Sequence, residues 1–245
     1  MAPAGTSPDA TIRCGSAPPR TRAAAAPPET RRTVSTRSRE FRNPVSVITK
    51  NELVTRDADL LEQLASHRAA SVNVSITTLD PDLHRTLEPR TATPARRLEA
   101  VRALASRGIP VNVLIAPVIP ALTDHEIPRL VEAAAATGAS ECGYILLRLP
   151  GVVAPLFESW LERHFPDRKE KVLNRVRSLR GGRLNDPRFG SRMRGEGVFA
   201  EEIEYLHRMA RQKAGFPGMP RLETRAFRRP GRAQELSLFE EDEVE

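Results

Sequence analysis

Cysteine is nearly missing from this 245-residue sequence: Cys14 and Cys142 are the only two, and they lie far apart. That argues against a disulfide scaffold and points to a reducing, cytoplasmic setting. No run of 18 apolar residues occurs, which excludes a membrane-spanning helix, and the N-terminus lacks the apolar stretch of a secretory signal. Several catalytic signatures are missing as well. There is no GxGxxG after a strand, no P-loop, no HExxH and no GxSxG. His67, His84, His125, His164 and His207 show no metal-ligand spacing.

What is present is a chain with 40% hydrophobic residues, enough to bury a core of ordinary size. The formal charge is +7 and the isoelectric point about 10.2. That balance permits nucleic acid, anionic substrates or acidic partners without choosing among them. The charge is local: residues 161–194 hold 11 Lys and Arg against 4 Asp and Glu.

Residues 1–40 differ from the rest. They hold seven arginines, six prolines and no leucine, too little apolar surface to offset the entropy of ordering, and are expected to be disordered. A basic, Pro-rich tail fits. A mitochondrial presequence fits less well, because Pro3, Pro8, Pro18, Pro19, Pro27 and Pro28 break an amphipathic helix. From Phe41 to Pro150 strands and helices alternate. Apolar runs predict strands at Val45–Thr49, Val72–Thr77, Val111–Ala116 and Gly143–Leu147. Helical periodicity predicts helices at about 57–66 and 94–107, and another from Thr123 to Thr137. Thr93 caps the second helix with Pro94 at its first position, and Gly108 ends it. Thr123-Asp124-His125-Glu126 reads as a capping box for the third. A parallel α/β sheet follows, closed or open. Its ligand site belongs at the C-terminal ends of the strands, so Lys50, Thr77, Thr78, Pro117 and Arg148 are expected on one rim. Residues 151–214 read as a helical extension with a basic loop, and 215–245 as a disordered tail.

Lys50, three donors at a strand end, suits a carboxylate or phosphate, or is a surface lysine. Ser75 shares strand parity with Asn73 and Thr77. That places three small polar groups on one face, lining a wet or ligand-filled interior or bonding to neighbouring backbone. Arg90, in the loop "LEPRTATPARR", is placed to fork onto a carboxylate or to pair with Glu88. Arg180, Arg183, Arg188, Arg192 and Arg194 are the candidate contacts to nucleic acid or another anion. Cys142, at a strand start, reads as core.

The stretches "FRNPVSVITKNELVTRDADLLEQLA", "VNVSITTLDPDLHRTLEPRTATPARRLEAVRALASRGIPVNVLIAPVIPALTDHEI", "YILLRLPG" and "LRGGRLNDPRFGSRMRGEG" resemble radical S-adenosylmethionine proteins related to spore photoproduct lyase. The resemblance runs from Phe41 to about Ala214. It implies a partial (β/α)6 barrel, truncated on its N-terminal side. It also implies S-adenosylmethionine, reductively cleaved by a [4Fe–4S] cluster to a radical that abstracts hydrogen from a substrate. On this resemblance Lys50 and Ser75 lie near the methionyl part of the cofactor, and Arg90 is counted with them as a contact to S-adenosylmethionine. The CxxxCxxC that holds the cluster in that family is absent here, so no metal ligand is assigned, no cluster is expected in this chain, and the chain reads as inactive as written. Residues 1–40 stand where the family has its first strands. An out-of-frame or mis-started segment is therefore a third reading of them, and it would leave Val45–Thr49 as an exposed sheet edge. The competing function is a non-catalytic module that binds nucleic acid or a DNA sliding clamp. In the tail "AQELSLFEEDEVE", Gln234, Leu236, Leu238 and Phe239 resemble the Gln-Leu-Ser-Leu-Phe peptides by which bacterial repair proteins bind that clamp, with Glu235 as an extra residue.

Overall fold

Along the fourth strand Val111, Val113 and Ile115 are buried, while Asn112 and Leu114 between them are half-buried. A period of two with one dry face and one half-open face is what a barrel arc requires. The computed structural model describes residues 10–13, 38–189 and 191–228. It contains a five-stranded sheet of β1 (Ala10–Arg13), β2 (Val45–Thr49), β3 (Ala70–Ser75), β4 (Val111–Val118) and β5 (Glu141–Leu146). All pairs are parallel and the spatial order is β1-β2-β3-β4-β5. This is the partial barrel expected from the sequence.

The helices are α1 (Ala58–Ala65), α2 (Pro81–Leu87), α3 (Pro94–Ala105), α4 (Ile127–Ala136), α5 (Val153–His164), α6 (Pro166–Ser178), α7 (Ser191–Arg194) and α8 (Val198–Ala214). Leu61 and Leu64 of α1, Val101 and Leu104 of α3, Leu130 and Val131 of α4, and Ile203 of α8 close over the outer face of the sheet. Each such side chain, fully buried, contributes about 1.5–3 kcal/mol, so stability resides on this outer face. The inner face is polar and half-open. Ser46 receives hydrogen bonds from Ser71 Oγ (3.0 Å) and Asn73 Nδ2 (2.9 Å), and Asn112 Nδ2 donates to Asn73 Oδ1 (2.8 Å). A second core, with Leu149, Phe157, Leu161, Leu173 and Val176, holds α5 and α6 together. Among the described residues, no helix is long and apolar enough to cross a membrane.

Several expectations change. β1 lies within the first forty residues, where no ordered element was expected, and it pairs along β2, which is therefore an inner strand among the described residues. β3 begins and ends two residues earlier than its apolar run suggests, because Ile76 and Thr77 belong to the turn leading to α2. α2 itself was not among the expected helices. Asp80 caps it by accepting from Asp82 N and Leu83 N, and Pro81 starts it. Thr93 caps α3 as expected, and Gly108 follows α3 at φ +70°, a left-handed conformation that favours glycine. The capping box at Thr123 does not form. Thr123 Oγ1 accepts from Ile119 N at 2.8 Å, Asp124–Glu126 is a short 3₁₀ turn, and Glu126 reaches across to the loop after β3. The tail motif Gln234, Leu236, Leu238 and Phe239 lies outside the described residues, as does Cys14.

Candidate functional site

β2 ends at Thr49, and Lys50 emerges onto the inner side of the rim. Its ammonium donates to the Ala116 carbonyl at the end of β4 (3.1 Å), to Thr77 Oγ1 beyond β3 (3.4 Å) and to the Glu88 carboxylate. The Thr77 hydroxyl lies 2.9 Å from both Glu88 Oε1 and the Ala116 oxygen. One lysine thus ties together the C-terminal ends of three strands, with all three of its donors engaged. The Lys50 side chain keeps 28% of its surface exposed, so the cluster is reachable from solvent.

Glu88 is the hub. Its other oxygen accepts from Arg97 Nη2 at 2.6 Å. Arg97 is fully buried. Its Nη1 donates to the Ser75 carbonyl (2.7 Å), its Nε to the Ala92 carbonyl (2.7 Å), and Nη2 also lies against Thr91 Oγ1 and 3.2 Å from His84 Nε2. Burial pushes the Glu88 carboxyl up. Lys50 and Arg97 together outweigh that and hold it below its usual range. For His84, burial and then the adjacent Arg97 charge both act downward, so the imidazole is held below its ordinary value. A neutral His84 Nε2 is the acceptor that the Arg97 contact requires.

The sequence-derived residues separate accordingly. Lys50 and Thr77 meet as expected. Ser75 is buried directly beneath them, its carbonyl held by Arg97. Arg90 is exposed on the loop between α2 and α3. Glu88, the partner suggested for Arg90, pairs with Lys50 and Arg97 instead. Arg148, at the end of β5, stands beside Arg180 rather than at Lys50, and its Nε is buried without a hydrogen-bond partner. Sequence reasoning missed Arg97 and Glu88. The available signal was phase: Arg97 lies one turn before Val101 and two before Leu104, in register with the apolar stripe of α3.

The basic extension divides in the same way. Arg180 is buried, and its guanidinium donates to the carbonyls of Leu147 (2.8 Å), Arg192 (2.7 Å) and Ser191 (3.3 Å). It clamps the extension to the end of β5 and does not offer its charge to a ligand. Arg188 forks onto Asp186 and also reaches Glu196. Gly195, at φ +73°, packs so closely that a Cβ there would meet Leu146 Cδ1 at 3.1 Å and the Leu179 oxygen at 3.2 Å. Arg183 and Arg194 are exposed. Arg192 lies 4.9 Å from the ring centroid of Phe189, which is 90% exposed.

Comparison with known proteins agrees with this architecture. Residues 24–134 match the Radical SAM superfamily. An uncharacterized protein of Mycobacterium tuberculosis is 36% identical over 138 residues, covering 56% of this chain and 39% of that protein. One from Methanocaldococcus jannaschii is 28% identical over 135 residues, covering 55% and 49%. The chain thus spans less than half the length of these relatives. Among solved structures, spore photoproduct lyase complexed with dinucleoside spore photoproduct superposes with a TM-score of 0.53 at 18% identity, over 76% of this chain and 54% of that one. A double mutant of that lyase with bound AdoMet and dinucleoside spore photoproduct gives 0.54 at 17%, over the same shares. These likenesses establish the fold.

Proposed function

We propose that the chain, whose residues 24–134 match the Radical SAM superfamily, provides the S-adenosylmethionine-binding rim of a protein of that kind. The cofactor's methionyl part would sit at Lys50 and Ser75. The observation that carries this reading is the position of Lys50: a partly exposed ammonium at the C-terminal strand ends, over a polar, half-open inner face. The residues present fit that ligand in kind. A carboxylate can share Lys50 with Glu88, and the hydroxyl-bearing inner face offers partners to an ammonium and to a ribose. Bound S-adenosylmethionine would supply the adenosyl group for radical chemistry. Lys50 would hold the carboxylate, while Glu88 and Arg97 keep Lys50 oriented.

The iron–sulfur cluster does not fit the residues of this chain. Three convergent thiolates are needed, and the sequence has two cysteines. The thiol of Cys142 is buried in β5 and pushed up to about 12 by burial, the reverse of a metal-binding thiolate. Among the described residues, no group of three His, Cys, Asp or Glu side chains is placed to hold a metal ion. No radical step is therefore assigned to this chain alone. The test is calorimetric titration of the chain with S-adenosylmethionine. Lys50→Ala should weaken binding about tenfold or more, the value of a lost hydrogen bond to a charged group. Unchanged affinity would return Lys50 to a purely structural role.

A second reading rests on Phe189, exposed beside Arg192. A cationic side chain next to an exposed ring suits single-stranded nucleic acid. In this reading the chain is a binding module, and the tail at Gln234–Phe239 docks a sliding clamp. A salt-dependent affinity for oligonucleotide, lost in Phe189→Ala, would favour it.

A further inference from the structure

Thr77 and Thr78 are adjacent in the chain but serve opposite sides of the loop after β3. Thr77 turns to Glu88, whereas Thr78 Oγ1 donates to Glu126 Oε1 at 2.6 Å. On the Thr78 side lies a cavity of about 710 Å³, within the range of about 300–1,000 Å³ typical of small-molecule sites. Leu79 to Leu83 form one wall. His125 and Arg129, at the start of α4, form the second, and Phe165 and Arg168, at the α5–α6 corner, form the third.

The charges in this cavity are unevenly satisfied. Glu126 is buried and accepts from Thr78 Oγ1 and from Leu79 N (2.8 Å). Asp80 is occupied as the cap of α2, accepting at 2.8 Å and 3.3 Å. Asp82 is paired with Arg85. Each acidic group of the lining therefore already has a donor. The basic side chains have no such partners: among the described residues, no side-chain hydrogen bond or ion pair engages His125, Arg129 or Arg168. What the cavity presents to a ligand is two unpaired guanidiniums, an imidazole and an apolar wall of Leu83, Leu122 and Phe165, beside the Asp80 and Glu126 carboxylates, whose acceptor sites are already taken by neutral donors.

We propose that this cavity binds a phosphorylated ligand with a flat apolar body, the chemistry of a mononucleotide. Two guanidiniums suit a phosphate because their forks match its several acceptor oxygens and its double charge. A phosphate alone would leave Phe165 and the leucines unused, and an apolar ring would leave the arginines unused. The site is separate from the Lys50 rim, and its occupancy does not depend on S-adenosylmethionine.

The test is calorimetric titration of the full chain at low ionic strength with adenosine 5′-monophosphate and with inorganic phosphate. The nucleotide is expected to bind saturably at one site, at least about tenfold more tightly than phosphate. The double variant Arg129→Gln/Arg168→Gln should lose about tenfold or more of that affinity, with an unchanged thermal transition because both side chains are exposed. Lys50→Ala should leave it unaltered. No nucleotide binding up to about 1 mM, equal affinity for phosphate, an undiminished double variant, or loss in Lys50→Ala would each overturn the proposal.

Discussion

Arg97 and Arg180 are both buried arginines whose guanidiniums reach the end of a strand, at Ser75 and Leu147, yet they are satisfied differently. Arg97 meets a carboxylate, Glu88, as well as the carbonyls of Ser75 and Ala92. Arg180 meets only carbonyls, those of Leu147, Ser191 and Arg192, because the nearby Asp186 is held by Arg188 and Ser191. Burial accordingly lowers the Arg180 pKa, with Asp186 only partly opposing it. Both side chains join segments distant in sequence. Only the first belongs to a charge network that includes a partly exposed lysine. A buried arginine with a carboxylate and a second cation marks a candidate binding rim, whereas one among carbonyls marks a clamp.

The sharpest way to break this contrast is to remove each guanidinium. Arg97→Met should cost about 3–5 kcal/mol, because it strands the Glu88 carboxylate with Lys50 as its sole cation. Denaturant unfolding would read this directly, and Arg97→Met combined with Glu88→Leu should recover part of the loss. Arg180→Met should cost less, about 1–3 kcal/mol, since it leaves neutral carbonyls unpaired rather than a charge. Equal losses would erase the distinction. The smallest effect is in pH. The Glu88 carboxyl is lowered in the fold, so its stabilisation is complete above its ordinary value of 4.5 and is lost as pH falls through the folded value. The His84 imidazole is also lowered, so the unfolded chain takes up a proton before the folded one does. Stability therefore begins to fall as pH drops below 6.5. His207, lowered mainly by burial, acts in the same window. Unfolding measured at pH 7.5 and 5.5 should show a decline that His84→Gln reduces; an unaltered decline would remove His84 from the network.

The strands and the long helices were legible because a single signal governs each. Val111–Ala116 is apolar but for Asn112, and Leu98, Val101, Leu104 and Ala105 repeat at helical spacing. α2 was not, because seven residues with one apolar turn give too little period to read. The polar side of β3 could be read from the parity of Asn73, Ser75 and Thr77. The partners of that side could not, since the Lys50–Glu88 contact joins residues on separate βα units. Arg180 was misplaced for a related reason. A run of basic residues records how much charge is present, while direction is decided by which carbonyls the fold brings within reach.

The order β1-β2-β3-β4-β5 in space is also the order in the chain. Val45 pairs with Ala70, Val72 with Val111 and Val113 with Cys142, so each strand docks against the one made just before it. No strand has to be threaded between two that already touch. From β2 to β5, loop closure at each step is therefore confined to one βα unit. Such a sheet can grow as the chain leaves the ribosome, one unit at a time, with its apolar outer face covered by each new helix as that helix is synthesised.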